Sequence, residues 1–152
     1  ITLITGIYLL WLSGWVAHTT SFRLLYFSEE TKRMTTKQTV LDYFASIHAG
    51  NWQDYISDTM AYGFNTTEQK LNKDEYFQSA GSFYDATTKV ELSQLITEGD
   101  KAAVIACYTA QSPAGATRIF EVPEFFTVKD GKIVASTIFF DGPAFMAFMK
   151  DE

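Results

Sequence analysis

Apolar residues recur every three to four positions near residues 34–49, and every second position from Thr87 onward. That change of period marks a helical first part and a stranded second part. Thr35-Thr36-Lys37-Gln38 has the spacing of a capping box, and the helix it opens should run to about Ala49 and stop at Gly50. Val40, Phe44, Ile47 and His48 share its inner stripe, with Tyr43 at the border. Residues 51–56 predict a short second helix with Trp52, Tyr55 and Ile56 inward, and residues 59–64 a short strand. Asn72-Lys73-Asp74-Glu75 is another helix start, leading to about Tyr84 through a packed face of Phe77, Ala80, Gly81 and Tyr84.

Residues 88–97 alternate, with Val90, Leu92 and Ile96 on one face and Lys89, Glu91 and Ser93 on the other. Glu98-Gly99-Asp100 reads as a hairpin turn. Residues 101–111 are apolar at both parities, which predicts a central strand covered on both sides. After the loop Ser112-Pro113-Ala114-Gly115, residues 117–128 form the next strand, and Lys129-Asp130-Gly131 a tight turn. Residues 132–141 are the last strand. Gly142-Pro143 ends it, and residues 144–149 form a short helix packed through Phe145, Met146 and Phe148. Helices followed by a long antiparallel meander describe an α+β domain with helices on one side of a sheet. Long strands must coil, and helices laid on the concave face leave a pocket.

Composition fits that picture. Hydrophobic residues make up 47% and aromatic residues 16% of 152 residues, including 13 Phe and 8 Tyr. This is ample for one core, and flat rings suit the lining of a small-molecule cavity. The net charge is −6, and no cluster of Lys and Arg stands out, so neither nucleic acid nor an anionic membrane surface is an expected partner. One cysteine, Cys107, allows no internal disulfide and reads as a buried small hydrophobe in a reducing, cytoplasmic protein. Two histidines in total make a His-rich metal site impossible, and the sequence calls for no metal or cofactor.

Residues 1–33 differ from the rest. Ile1 to Ala17 is an uncharged apolar stretch, followed by Arg23, Lys32 and Arg33. It reaches only the lower limit of a bilayer span, roughly 17 to 25 residues. A truncated leader, a membrane anchor and an over-extended reading frame all fit, and the last ranks first because Met34 stands directly before a well-signalled helix. The domain is therefore placed at residues 34–152.

Several segments carry a resemblance. They are Tyr43-Phe44-Ala45-Ser46-Ile47-His48-Ala49-Gly50-Asn51-Trp52, then Glu98-Gly99-Asp100 with the apolar strand after it, then residues 124–133, and finally Phe139-Phe140-Asp141. In this order and spacing the chain resembles the nuclear transport factor 2-like, SnoaL-like superfamily. The resemblance implies a cystatin-like cone, a curved antiparallel sheet wrapped around helices with an internal pocket. Ketosteroid isomerases, limonene epoxide hydrolases, SnoaL-type polyketide cyclases and scytalone dehydratases share that fold, so it does not fix the activity.

Glu124 is the most informative residue. It shares a strand face with Phe120, Val122, Phe126 and Val128, so a carboxylate sits in an apolar row. There it must be protonated, paired or wetted by a pocket. By resemblance it corresponds to the acid of the ketosteroid isomerase oxyanion hole. Alternatively, Pro123 marks a bulge that turns Glu124 outward, or Glu124 pairs with Arg118. Tyr43, seven residues before Gly50, matches the oxyanion-hole tyrosine of those isomerases, or is simply a core tyrosine. Asp141 is by resemblance a pocket carboxylate, as in limonene epoxide hydrolases, or else a cap for the last helix. The departures are equally plain. No carboxylate base stands in Met60-Ala61-Tyr62-Gly63-Phe64, residues 88–97 hold no Arg-x-Asp unit, and the domain has only His48.

The expected function is thus a pocket protein for a small apolar or polyketide-like molecule. Trp52, Tyr55, Tyr62, Phe77, Phe120, Phe126 and Phe140 would contact the ligand. Tyr43, Glu124 and Asp141 are the candidates for polar contacts and for acid–base chemistry of the isomerase, cyclase or dehydratase kind. The alternative is a non-catalytic module that dimerises through an outer sheet patch of Ile105, Cys107, Ile119 and Phe125. A homodimer through the sheet is compatible with both.

Overall fold

A computed structural model describes residues 34–150 of the chain. The expectations for residues 1–33 lie outside the described residues. Helix α1 (Thr36–Ser46) starts where the sequence marks it: the Gln38 amide donates to Thr35 Oγ1 at 3.1 Å. The Gln38 side chain does not return to close the capping box but donates to Asp42 Oδ1 at 2.8 Å. The chain turns through Gly50, whose φ of 84° suits only a residue without Cβ. A 3-10 turn (Trp52–Tyr55) leads into β1 (Ile56–Phe64) and a short β2 (Lys70–Leu71). Helix α2 (Lys73–Asp85) is capped by Asn72, whose Oδ1 accepts from the Glu75 amide at 3.0 Å. The long strands β3 (Thr87–Glu98), β4 (Lys101–Gln111), β5 (Thr117–Lys129) and β6 (Lys132–Ile138) follow, and α3 (Gly142–Lys150) closes the chain.

The strands form one curved six-stranded sheet in the order β2-β1-β6-β5-β4-β3. The meander from β3 to β6 is antiparallel, as the period of two and the turns require. The β5–β6 turn places both Asp130 (φ 50°) and Gly131 (φ 73°) in the left-handed region, the twist a two-residue hairpin needs. The sheet as a whole is mixed, because β1 lies parallel to β6. Its two members are far apart in sequence, and no local hairpin signal could have reported their pairing.

Two strand readings change. Ile96 was expected on the inner face of β3 but is 67% exposed. Leu92 pairs with Ala106 and Gln94 with Ile105, so Ser93 is an extra residue that inverts the alternation and turns Leu95 inward instead. Strand β4 is covered on one face only: Ala102, Val104, Ala106, Tyr108 and Ala110 are buried, while Ile105 and Cys107 are half-buried. Helices α1 and α2 fill the concave face. Tyr43 and Phe44 from α1, and Tyr76, Ala80 and Tyr84 from α2, join Val104, Tyr108, Val122 and Phe126 in one core. Among the described residues no helix is long and apolar enough to cross a membrane.

Candidate functional site

Between α2, the sheet and α3 lies a cavity of about 310 Å³. Strand β1 contributes Tyr62 and Phe64, α2 contributes Tyr76, Phe83 and Tyr84, and β4 and β5 contribute Tyr108, Val122 and Glu124. Ile138 and Phe140 at the end of β6 and Phe145 and Met146 of α3 complete the wall. No Lys, Arg or His is among the lining residues.

Glu124 is placed there by strand alternation. It faces inward between Val104 and Ile138, with no register break at Pro123, and is only 2% exposed. The outward-turned and Arg118-paired alternatives both fall away; the Arg118 guanidinium lies 4.9 Å from the ring centroid of Phe120. Tyr108 donates to Glu124 Oε1 at 2.9 Å, and Oε2 has no partner. Burial pushes the carboxyl up to about 7, against the opposing pull of the Tyr108 hydrogen bond. A large fraction of this acid therefore carries its proton at neutral pH.

Beside it is a cluster of phenols. Tyr43 Oη lies 2.7 Å from Tyr76 Oη and 2.5 Å from Tyr84 Oη, and the Tyr84 and Tyr108 rings stack with centroids 6.0 Å apart. Burial first, then neighbouring phenols and Glu124, raises Tyr43 and Tyr84 well above the usual tyrosine value. Burial and Glu124 do the same for Tyr76 and Tyr108. All four phenols are thus held in the neutral, protonated form rather than as phenolates.

The structure sorts the sequence candidates. Glu124, Tyr62 and Phe140 line the cavity. Tyr43 is fully buried and not at the cavity wall, but it holds the hydroxyls of Tyr76 and Tyr84, which are. Asp141 is a cap: it lies past the end of β6, it is exposed, and its Oδ1 accepts from the Ala144 amide at 3.0 Å. Trp52, Tyr55, Phe77, Phe120 and Phe126 are not lining residues and stand behind or beside the wall. Trp52 packs edge-on against Tyr76, Phe77 and Tyr84, and Phe126 against Tyr43 and Phe44. Phe120 sits under α3 with Phe140, Phe145 and Phe148, and Tyr55 is half-buried in the 3-10 turn.

Tyr76, Tyr84 and Tyr108 were missing from the candidates for ligand contact. Tyr76, Ala80 and Tyr84 are four residues apart, and the expected packed face of Phe77, Ala80, Gly81 and Tyr84 already held two of the three. Giving weight to phenols at that spacing would have found it. In β4, Tyr108 shares the parity of Ala102, Val104 and Ala106, and that parity was already legible.

No family model and no curated protein matches the sequence. Solved structures do match. One is a protein described as a SnoaL-like polyketide cyclase from Jannaschia sp. CCS1, with a TM-score of 0.63 at 18% identity over 77% of this chain and 92% of that one. The chain adopts the nuclear transport factor 2-like, SnoaL-like fold. A second match is the epoxide hydrolase/cyclase-like enzyme SalBIII, of pyran ring formation in the polyether salinomycin (TM-score 0.61, 16% identity, 71% and 92% covered). A third is an NTF2-like protein of unknown function from Cytophaga hutchinsonii ATCC 33406 (0.56, 14%, 74% and 96%). At these identities the likeness establishes the fold. Strand β1 ends in Tyr62-Gly63-Phe64, so two aromatic rings and no carboxylate stand at that edge of the cavity.

Proposed function

We propose that the chain is a small-molecule pocket protein. It binds a compact, neutral, largely apolar compound of polyketide-like character, and Glu124 donates its proton to an oxygen of that ligand. The observation that carries this reading is a buried carboxyl with one unpartnered oxygen in a cavity lined mainly by aromatic and aliphatic side chains. Such a group costs stability unless water or a ligand supplies the missing hydrogen bond, and a cavity beside it admits either. The cavity is at the small end of the usual range of about 300 to 1,000 Å³, which favours a compact ligand. A protonated acid and neutral phenols suit acid-assisted isomerisation, cyclisation or dehydration. Tyr43 acts through Tyr76 and Tyr84 in this scheme. The names of two structural neighbours, a polyketide cyclase and an epoxide hydrolase/cyclase-like enzyme, are in keeping with it.

The test is a binding titration with the neutral probe N-phenyl-1-naphthylamine, paired with NMR titration of Glu124. Binding should shift the Glu124 carboxyl resonance, and the free carboxyl should titrate near neutrality. No binding together with an ordinary acidic titration would remove the proposal.

A second role is supported by a separate observation. Ile96, Ile119 and Phe125 are 67%, 63% and 49% exposed on the outer sheet face. We propose that this face joins two copies of the chain, which leaves the pocket free.

A further inference from the structure

Strand β6 stops at Ile138, yet the wall of the cavity continues to Phe140. Beyond a strand end, backbone N–H and C=O groups need new partners. Phe139 finds one on β5, donating to the Pro123 carbonyl at 3.0 Å. Phe140 points its backbone the other way, toward the end of β1, and there the partner is a side chain. The Phe140 amide donates to Asn65 Oδ1 at 2.7 Å, and Asn65 Nδ2 donates to the Phe140 carbonyl at 2.9 Å. The Asn65 amide itself donates to the Ile138 carbonyl at 2.8 Å. One carboxamide thus reproduces the donor–acceptor pair of a neighbouring strand.

The local backbone is built for this. Asn65 has φ 53°, a left-handed conformation that Asn tolerates better than most residues with a Cβ. The chain then folds back over Gly63 so tightly that a Cβ there would stand 2.4 Å from the Thr66 carbonyl oxygen. Gln69 Nε2 anchors the return by donating to Thr137 Oγ1 at 2.9 Å. On either side of this clamp are two cavity-lining rings, Phe64 and Phe140, in edge contact with centroids 6.5 Å apart. Phe64 is 45% exposed and Met146 is 53% exposed, which puts them at the mouth.

We propose that Asn65 is a positioning residue that sets the size selectivity of the pocket. By fixing the Phe140 backbone it holds the Phe140 ring against Phe64, and that ring pair limits which ligands pass. The inference rests on the pocket reading above, and names the residue that decides admission rather than the one that does chemistry.

Two variants test it. Asn65→Gly keeps the left-handed backbone and removes the carboxamide. Asn65→Asp keeps the acceptor for the Phe140 amide but sets an oxygen against the Phe140 carbonyl. Circular dichroism reports whether each folds, and either folded variant suffices. The probes are N-phenyl-1-naphthylamine and the wider, rigid pyrene. The expected result is Phe140 amide exchange faster by about tenfold or more, and an affinity ratio of pyrene to N-phenyl-1-naphthylamine raised about fivefold. An unchanged ratio overturns the inference, whether or not Phe140 exchange has changed. If the parent protein binds neither probe, it is the pocket reading that fails. The clamp is then judged by Glu124 alone: a wider mouth admits water and lowers its titration midpoint from about 7, and an unmoved midpoint overturns the inference.

Discussion

At the scale of single residues, the consequences of Glu124 follow from where its proton is held. The folded protein raises the carboxyl from 4.5 to about 7. Below about pH 4.5 both folded and unfolded chains are protonated, and the group has no pH-dependent effect. As pH rises from there to about 7, the unfolded chain releases its proton first and folding loses stability. The loss levels off above about 7 at on the order of 3 kcal/mol. Glu124→Gln keeps the shape and cannot ionise. Its unfolding free energy from denaturant titration should match the parent near pH 4 and exceed it near pH 8, by on the order of 3 kcal/mol. Equal midpoints at both pH values would mean the carboxyl is solvated. Tyr108→Phe removes the one hydrogen bond that lowers the carboxyl. NMR should then find Glu124 titrating higher than in the parent. A lower value would show that water had replaced the phenol.

At the scale of elements, the caps and turns act locally and their effects are separable. Thr35, Asn72 and Asp141 each satisfy a backbone amide at the start of a helix. Asp141→Ala should cost about 1 kcal/mol in thermal or chemical denaturation. It should leave the titration of Glu124 unmoved, because Asp141 is outside the cavity; a shift in Glu124 would return Asp141 to the list of pocket groups. Gly63 is the opposite case. A methyl group there meets the backbone oxygens of Thr66 and Glu68 at 2.4 and 2.8 Å, and neither is a flexible side chain. Gly63→Ala should therefore destabilise the fold by about 1 to 3 kcal/mol and loosen the Asn65 clamp, read as faster Phe140 amide exchange. The helix starts were legible because a cap needs only residues three apart. The bulge at Ser93 was not, because only the pairing partner reveals an extra residue in a strand that otherwise alternates.

At the scale of the whole molecule, the helices cover the apolar inner face of the sheet, and the outer face carries exposed apolar residues among polar ones. Cross-strand pairing puts Ile96, Ala103 and Phe125 in one row of the outer face, with Ile105 opposite Pro123 in a neighbouring row. Exposed rows of this kind mark contact surfaces. Sedimentation should find a dimer for the parent and a monomer for Phe125→Lys, with Glu124 titrating alike in both. A parent that sediments as a monomer at all concentrations ends the dimer proposal.

The sequence alone was enough for whatever depends on neighbours along the chain. Helix starts at Thr35 and Asn72, the hairpin turns at Gly99 and Gly131, and the shared parity of Glu124 with Phe120, Val122, Phe126 and Val128 are all local patterns, since capping, turn geometry and side-chain alternation act over a few residues; that no bulge at Pro123 turns Glu124 outward was decided by the sheet. The α+β class followed from their order. Contacts between distant segments were decided only by folding. The parallel pairing of β1 with β6, the meeting of Tyr43 with Tyr76 and Tyr84, and the grip of Asn65 on Phe140 join residues 33 to 77 positions apart. No periodicity encodes such a meeting. It is fixed by how a coiled sheet closes over its helices, and that closure determines which rings face the cavity and which merely support it.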